Sequence, residues 1–292
     1  MIPQPLRQNA RGWPWLDGGA SAETTPRISI ITPSYNQADF IEETIRSILL
    51  QNYPNIEHII MDGGSTDGTV EILRHYDAHI TWVSEPDGGQ ADAINKGLKR
   101  ATGDILAYLN SDDVYLPTAL QTVAAYFQAN PQVGLLYGDT EAIWADGRPK
   151  GMIHGRPFDL HKIIHRGHFL PQQSTFWTRA AMQKAGWFDA SQYFAMDYEY
   201  FIRLGQVTQA AYLPLSLSQF RFHESSKSVT GEERHWRDIL TVSEAYGMKP
   251  WTIWWWIRRI RHRALRGLPP SLEMRVRRLL NRGQDPVLTS DR

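Results

Sequence analysis

The stretch RISIITPSYNQADFIEETIRSILLQ, residues 27–51, carries the pattern that decides the fold. Its first six residues, Arg27–Thr32, form a short β-branched run that ends at a proline, which predicts a buried strand. In residues 40–51 the apolar side chains recur at helical spacing, and two glutamates stand in the first turn, where the helix dipole favours carboxylates. This stretch therefore predicts a strand that is followed directly by a helix.

The same order of elements returns three times before residue 130. Predicted strands at Glu57–Met61, Ile80–Val83 and Ile105–Leu109 alternate with predicted helices at Thr69–His75, Gln90–Arg100 and Leu116–Phe127. The order then becomes less regular, with strands expected at Val133–Tyr137, Ser174–Trp177 and Leu217–His223 and helices at Arg179–Ala185 and Asp197–Leu204. Such alternation is typical of an α/β fold, in which helices cover both faces of a mostly parallel, Rossmann-like central sheet.

Composition excludes several classes of protein. The chain has no cysteine, so disulfide frameworks, thiolate nucleophiles and cysteine-ligated zinc are excluded. Residues 1–26 lack an apolar core flanked by basic residues, and no apolar run approaches the roughly 20 residues that span a bilayer. We therefore expect a cytoplasmic protein that does not cross a membrane by itself.

The formal net charge of zero hides an asymmetry. Residues 251–292 contain ten arginines against three acidic residues, a net charge of +7, which leaves −7 for the rest of the chain. Within this tail, WTIWWWIRRIRHRALR (residues 251–266) places isoleucines and one tryptophan on one face of a helix and arginines over the remainder. That composition is typical of an amphipathic helix lying on an anionic membrane. A helix packed on the main domain, a second subunit or a protein partner is the alternative, and nucleic acid is not an expected partner.

Polar clusters follow each of the early predicted strands. They are Pro33-Ser34-Tyr35-Asn36, Asp62-Gly63-Gly64, Glu85-Pro86-Asp87-Gly88-Gly89 and Asn110-Ser111-Asp112-Asp113. Because ligands bind at the carboxyl ends of strands in such sheets, four clusters in register predict a binding site there. The carboxylates of Asp112 and Asp113 suit Mg²⁺ or Mn²⁺, although one of them could instead cap the following helix.

Seven segments together resemble a known family. They are ISIITPSYNQADFIEETIRSIL, HIIMDGGSTDGT, SEPDGGQADAINKGLKRATGD, AYLNSDDVYLP, QQSTFW, FAMDYEYFIRL and FRFH, and they follow one another in the family's order. The chain in this respect is similar to the family 2 glycosyltransferases of the GT-A fold, especially those that build bacterial polysaccharides. The resemblance implies inverting transfer from a nucleotide sugar, with a divalent ion, Mn²⁺ or Mg²⁺, on the donor diphosphate.

The resemblance also implies an organisation of the chain. Residues 1–26 would be an N-terminal extension, residues 27–230 the GT-A catalytic domain, and residues 231–292 the basic, aromatic helical tail. The implied partners are a nucleotide-diphosphate sugar, most readily a uridine or thymidine nucleotide, and a glycan or lipid-linked acceptor. With the tail on anionic lipid, the enzyme would associate peripherally with the inner face of the cell membrane.

The resemblance gives roles to residues in the first half of the chain. Pro33, Ser34, Tyr35 and Asn36 correspond to the loop that cups the nucleobase, with Tyr35 available for stacking. Asp62 corresponds to the acid at the base or ribose edge. The segment from Asp87 to Lys96 corresponds to the lining of the ribose and diphosphate, with Asp92 and Lys96 as its contacts. One departure concerns Gly63, where the family often has a second acid, so the nucleobase contact stays open.

The remaining roles concern metal and proton transfer. Asn110, Ser111 and Asp112 occupy the family's D-x-D position, with Asn110 replacing its first acid, and Asp112 would be the metal ligand. His223 corresponds to a histidine near the metal and diphosphate. Asp197 corresponds to the catalytic base that removes the proton of the acceptor hydroxyl.

Purely structural roles are the alternatives for some of these residues. Asp197 could cap the predicted helix at 197–204, and His223 could be a structural histidine. Glu199 is expected on the surface and Arg203 in a salt bridge. A catalytically inactive, transferase-like scaffold is the alternative function, whereas a dehydrogenase would need a G-x-G-x-x-G loop that the chain lacks.

Overall fold

A computed structural model describes residues 2–6, 13–14, 25–167, 170–224, 226, 232–249 and 256. Its strands are β1 (Ile28–Ser34), β2 (Ile56–Asp62), β3 (Thr81–Ser84), β4 (Ile105–Tyr108), β5 (Val114–Tyr115), β6 (Val133–Trp144), β7 (Pro149–Ile153), β8 (Thr175–Thr178) and β9 (Gln209–Phe222). Its helices are α1 (Ile41–Leu49), α2 (Thr69–His75), α3 (Gln90–Arg100), α4 (Ala119–Ala129), α5 (Leu160–Arg166), α6 (Arg179–Ala185), α7 (Met196–Val207) and α8 (Glu232–Ala245). The predicted α/β class and the alternation of elements up to residue 130 are confirmed.

All nine strands belong to one sheet with the order β3-β2-β1-β4-β8-β6-β9-β5, and β7 pairs with β6 beside this path. Pairing is parallel among β1, β2, β3 and β4, which are connected through helices, and parallel again between β6 and β9. It is antiparallel where β8 joins β4 to β6 and in the β6–β7 hairpin. The second half of the sheet is therefore mixed, because β8 and the β6–β7 hairpin pair antiparallel while β6 and β9 pair parallel.

Helices cover both faces of the sheet, as predicted. Alternate residues of β1 point to opposite sides, so Ile30 packs in a cluster with α4 while Ile31 packs in a second cluster with α3 and α7. The approach of α3 is close, because a Cβ at Gly97 would lie only 2.5 Å from the Ile31 Cγ2 atom. Glycine at residue 97 therefore sets the distance between α3 and the sheet.

Three elements were not predicted, β5, β7 and α5, whereas α8 falls in the region 231–292 that was expected to be a helical tail. Strand β5 has only two residues and is defined by its pairing with β9, which leaves no local signal. Helix α8 lies beyond residue 230, yet Ile239 and Val242 on it belong to the core cluster of α3 and α7. The Tyr246 hydroxyl after it donates to Glu199 at 2.6 Å. Residues 232–249 thus pack against the main domain.

The described N-terminal residues bind helix α1. The Arg46 guanidinium, 1% exposed, donates to the carbonyls of Pro3 and Pro14 at 2.8 and 3.2 Å. The Leu6 amide donates to the Glu42 carboxylate at 2.6 Å. These residues therefore shield buried charge on α1.

The tail helix predicted at 251–266 lies outside the described residues except for Trp256, which is 41% exposed. Of the helices in the described ranges, none combines the length and hydrophobicity of a transmembrane segment.

Candidate functional site

The site lies at the carboxyl edge of the parallel strands. Ser34 at the end of β1 is opposite Asp62 at the end of β2, and Ile31 is opposite Tyr108 in β4. The polar clusters that follow these strands therefore meet at one edge. This placement is what the strand and helix pattern predicted.

The loop after β1 is bonded to the turn after β2. The Asn36 amide donates to the Ser65 hydroxyl at 2.7 Å, and the Asn36 side-chain oxygen accepts the Thr66 amide at 2.9 Å. Asn36 has a positive φ of 52°, a conformation that asparagine tolerates better than most residues. Pro33 and Ser34 are still part of β1, and the Ser34 carbonyl accepts the Gly63 amide at 2.8 Å. Hydrogen bonds thus join the loop that was predicted to cup the nucleobase to the turn after β2.

The side chain of Tyr35 projects from this loop into solvent. Its side chain is 63% exposed, the highest value among the large hydrophobic side chains of the described residues. The Ser34 hydroxyl beside it is buried and has no hydrogen-bond partner within the described part of the chain. An exposed aromatic ring on a fixed loop is suited to stacking on a planar ligand.

Asp62 is surrounded by donors from its own neighbourhood. Its Oδ2 atom accepts the Gly64 and Ser65 amides at 3.2 and 2.9 Å and the Ser84 hydroxyl at 2.7 Å. Its Oδ1 atom accepts the Ser65 hydroxyl at 2.5 Å, and the residue is 2% exposed. Three of these four bonds are to Oδ2 and one is to Oδ1, so the carboxylate is held by its own turn and by Ser84. Asp62 therefore stabilises the turn after β2.

Asp87 reaches across to the same turn. Its Oδ1 atom accepts the Gly89 amide at 2.7 Å. A Cβ atom added to Gly63 would lie 3.1 Å from the Oδ2 atom of Asp87. It would lie 3.3 Å from the Cδ2 atom of the Tyr35 ring. Tyr35 and Asp87 therefore meet at Gly63, although 52 residues of sequence separate them.

Asp92 and Lys96 form an ion pair on α3. The ammonium of Lys96 is 3.3 Å from Asp92 Oδ2 and 3.5 Å from Glu85 Oε1. The Gly88 amide, followed by Lys96, lowers the pKa of Asp92. Burial of Lys96 acts in the opposite direction, but the two carboxylates raise the pKa of its ammonium. Lys96 therefore keeps its positive charge at the predicted diphosphate position.

The loop after β4 is held by side-chain amides. Asn110 accepts from Gln90 at 2.7 Å and donates to Asp113 and Gln172 at 3.2 Å each. Ser111 is 5% exposed and Asp113 is fully buried. Burial, followed by the charge of Asp112, raises the pKa of Asp113 well above its usual range. Helix α4 begins at Ala119, so neither aspartate caps it.

Asp112 faces His223, which follows β9. The Asp112 Oδ2 and His223 Nε2 atoms are 2.8 Å apart, and the two side chains are 17% and 7% exposed. The structure thus brings together the two predicted metal ligands from positions 111 residues apart. Within the described residues no group of three or more His, Cys, Asp or Glu side chains is arranged to hold a metal ion. The pair alone could supply two ligands.

Arg221 supports this pair and was missed by sequence reasoning. It is 2% exposed, its Nε donates to the Asp112 carbonyl at 2.9 Å, and its backbone amide donates to Asp113 at 3.0 Å. The guanidinium also pairs with Glu43 of α1 at 2.8 Å. The alternation in FRFH, which turns the arginine inward between two phenylalanines, was the available signal.

Gln172 and Gln173 support the same loop. Gln172 donates to the Tyr108 carbonyl at 2.8 Å, and Gln173 forms a side-chain hydrogen bond with Asp113. Both are buried in one turn of 3-10 helix before β8. The QQS segment therefore fixes the loop of Asn110 to Asp113 from the antiparallel side of the sheet.

Asp197 is the second residue of α7. The cap position belongs to Ala195 and has no side-chain bond, while Asp197 Oδ1 accepts the Tyr198 amide at 2.7 Å. Burial raises the pKa of Tyr108 well above its usual range, and the charge of Asp197 adds to the increase. Its neighbours Met196 and Tyr198 belong to the same core cluster as Tyr108, so the first turn of α7 lies on the face of the sheet that carries the Tyr108 side chain.

One prediction about α7 is wrong. Glu199 is 8% exposed, in place of lying on the surface, because Arg203 binds it at 2.6 Å and Tyr246 donates to it at 2.6 Å. The expected salt bridge of Arg203 is present. The Arg203 guanidinium also donates to the Trp187 carbonyl, so it joins α7 to the loop before it.

Several proteins described as glycosyltransferases have sequences similar to this one. A sequence model described as "Glycosyl transferase family 2" matches residues 29–188. An uncharacterized glycosyltransferase of Mycobacterium tuberculosis, Rv1514c, is 30% identical over 253 residues, covering 84% of this chain and 92% of the relative. The putative teichuronic acid biosynthesis glycosyltransferase TuaG of Bacillus subtilis is 45% identical over 101 residues, covering 33% of this chain and 40% of TuaG.

Solved structures show the same fold. Mannosyltransferase PcManGT from Pyrobaculum calidifontis, in complex with GDP-Man and Mn²⁺, is similar with a TM-score of 0.58 at 20% identity, over 90% of this chain and 82% of that one. Residues 1–349 of S. aureus TarS, in complex with UDP-GlcNAc, give a TM-score of 0.57 at 20% identity, over 85% and 69% of the two chains. The predicted GT-A-like fold is confirmed. With a family model that matches residues 29–188 and a relative aligned over 84% of this chain and 92% of its own, this protein belongs to glycosyl transferase family 2.

Proposed function

We propose that the protein is an inverting glycosyltransferase that moves a sugar from a UDP- or dTDP-sugar to a hydroxyl of a glycan or lipid-linked acceptor. The observation that carries this proposal is the Asp112–His223 pair, which stands at the same sheet edge as the loops of Tyr35 and Asp87. A role in cell-surface polysaccharide biosynthesis is supported by the similarity to TuaG. UDP-GlcNAc in TarS and GDP-Man in PcManGT support a nucleotide-sugar donor.

The Asp112–His223 pair fits a divalent ion. The two atoms that meet at 2.8 Å, a carboxylate oxygen of Asp112 and an imidazole nitrogen of His223, are ligand types that Mg²⁺ or Mn²⁺ can accept. Asp112 and His223 would hold Mg²⁺ or Mn²⁺ together with waters and donor phosphate oxygens. A bound ion supplies Lewis-acid stabilisation of the charge that develops on the leaving diphosphate. The Mn²⁺ bound by PcManGT supports this choice.

Asp197 is the proposed base. Its carboxylate stands in the first turn of α7, where its charge adds to the burial that raises the pKa of Tyr108 at the end of β4. In this role it accepts the proton of the acceptor hydroxyl as the oxygen attacks the anomeric carbon. Lys96, with its ammonium held by Asp92 and Glu85, is positioned to bind a diphosphate oxygen. Attack from the face opposite the leaving diphosphate gives inversion.

We further propose that the enzyme works in the cytoplasm at the inner face of the cell membrane. The net charge of +7 on residues 251–292 and the tryptophans of residues 251–256 support attachment to anionic lipid. A lipid-linked acceptor would be presented at the same surface.

Calorimetry with UDP, dTDP and Mn²⁺ tests the proposed donor and metal. We expect at least one of the two nucleotides to bind tightly with Mn²⁺ and EDTA to abolish that binding. Asp112→Asn should weaken the metal-dependent binding by about 10-fold or more, because the ion loses a ligand. Asp146→Asn, at an exposed carboxylate of the β6–β7 turn, is the control and should bind like the native protein. Equal affinity with and without the metal would exclude the metal bridge.

A further inference from the structure

We infer that Asp87 selects the nucleobase, by accepting a hydrogen bond from the ring N–H of a base that stacks on Tyr35. The inference rests on the proposed function, since it assumes a nucleotide donor at this edge of the sheet. It also defines the class of nucleotide. Uracil, thymine and guanine carry a ring N–H on their pairing edge, whereas adenine and cytosine present a ring nitrogen lone pair there, which a carboxylate repels.

The acid at the strand end is not available for this contact. Asp62 accepts four hydrogen bonds from Gly64, Ser65 and Ser84 and is 2% exposed. With so little exposed surface, its carboxylate cannot be reached by a base unless this turn opens. Loss of an acceptor would leave a donor of the turn unsatisfied, which is costly for a partly buried group.

Gly63 opens the space that Asp87 uses. A Cβ at residue 63 would be 3.1 Å from Asp87 Oδ2 and 3.3 Å from Tyr35 Cδ2. Both atoms are therefore within contact distance of the Cβ position of residue 63. A side chain at residue 63 would make a tight contact with the Asp87 carboxylate, which would have to shift slightly. The glycine and the aspartate thus act as a pair, in which the acid is supplied from the loop after β3.

Asp87 is oriented for an external donor. The Gly89 amide donates to Oδ1 at 2.7 Å, which fixes the carboxylate. Gly89 has a φ of +102°, so the turn that directs this amide needs a glycine. The Oδ2 atom receives no hydrogen bond from the part of the chain that the structure describes. One oxygen is therefore held by the protein, and the other is left beside the exposed ring of Tyr35.

Asp87→Asn isolates the proposed contact. The asparagine oxygen can still accept from the Gly89 amide, and the NH₂ group then replaces only Oδ2. Calorimetry with Mn²⁺ should compare UDP, dTDP, GDP, CDP and ADP, and also the tightest binder methylated at its ring N–H. In the native protein we expect UDP, dTDP or GDP to bind best and methylation to weaken binding about 10- to 100-fold, the value of a charged hydrogen bond. In Asp87→Asn the effect of methylation on affinity should disappear, and the affinity for CDP should increase relative to the affinity for UDP.

Asp62→Asn serves as the contrasting variant. We expect a lower melting temperature, because the turn loses acceptors, while the variant still distinguishes the methylated nucleotide. Asp87→Asn should melt like the native protein. The inference is overturned if CDP or ADP binds the native protein best, or if Asp87→Asn still distinguishes the methylated nucleotide. If none of the five nucleotides binds, the proposed function itself fails, which is a distinct result.

Discussion

Protonation of His58 provides a prediction with a magnitude set by the structure. The imidazole lies in β2 and is 3% exposed, with its Nε2 atom 3.0 Å from the Thr32 hydroxyl. Its Nδ1 atom has no hydrogen-bond partner among the described residues. Burial lowers the pKa of His58 from its ordinary value of 6.5 to about 3. A second proton would place an unpaired charge between the strands that carry the site loops.

The sign follows from the protons bound by each state. Below pH 6.5 the imidazole of the unfolded chain is protonated, whereas His58 in the folded protein stays neutral until about pH 3. The unfolded state therefore binds more protons in this window, and stability is lost as the pH falls through it. At pH 5 the loss is about 2 kcal/mol, because one pH unit corresponds to about 1.4 kcal/mol.

Urea unfolding followed by circular dichroism between about pH 8 and pH 5 measures this term, with His58→Gln as the reference. Glutamine can still hydrogen-bond Thr32 but does not titrate. The stability of the native protein relative to the variant should decrease by about 2 kcal/mol over this range, at a constant m value. A difference that does not change with pH would refute the assignment of a buried, neutral histidine.

Three further predictions concern the site and the two ends of the chain. Asp197→Asn should keep donor affinity but lower turnover by roughly 100-fold, the scale of general-base loss; near-normal turnover in a transfer assay would remove Asp197 from the mechanism. Deletion of residues 1–14 should lower the free energy of unfolding by about 2 kcal/mol or more, because the Arg46 guanidinium loses two carbonyl partners; an unchanged melting temperature would contradict this. Full-length protein should float with anionic vesicles at low salt and be released by high salt, whereas a chain cut after Pro250 should stay in solution. Failure of the full-length protein to float would exclude membrane attachment by the tail.

Local periodicity was sufficient for most of the sheet and its helices. The apolar runs at β1, β2 and β4 and the helical spacing in α1, α2 and α3 lie within the predicted bounds to about two residues. Elements defined by distant pairing were missed. Strand β5 exists because β9 lies beside it, and the mixed half of the sheet depends on how β8 inserts between β4 and β6. No pattern within either segment carries that information.

The neighbouring aspartates show the same limit at the site. The apolar run before Asp112 and Asp113 does not distinguish them, and only the resemblance to the family's D-x-D position favoured Asp112. The structure distinguishes them by geometry, because the fully buried Asp113 accepts the backbone amide of Arg221 while the partly buried Asp112 pairs with His223. Both partners come from β9 or the residue after it, more than 100 residues along the chain.

The sequence alone determined that acidic and polar residues gather at the carboxyl edge of an α/β sheet, since strand ends follow from apolar runs and turn residues. The tertiary structure decided which of their oxygens are available. Asp62 stands at the predicted position, yet hydrogen bonds from Ser65 and Ser84 occupy it, whereas Asp87 enters the space left by Gly63. The turn residues near Asp62 can be read from the sequence, but Ser84 and the placement of Asp87 beside Gly63 depend on the pairing of β2 with β3.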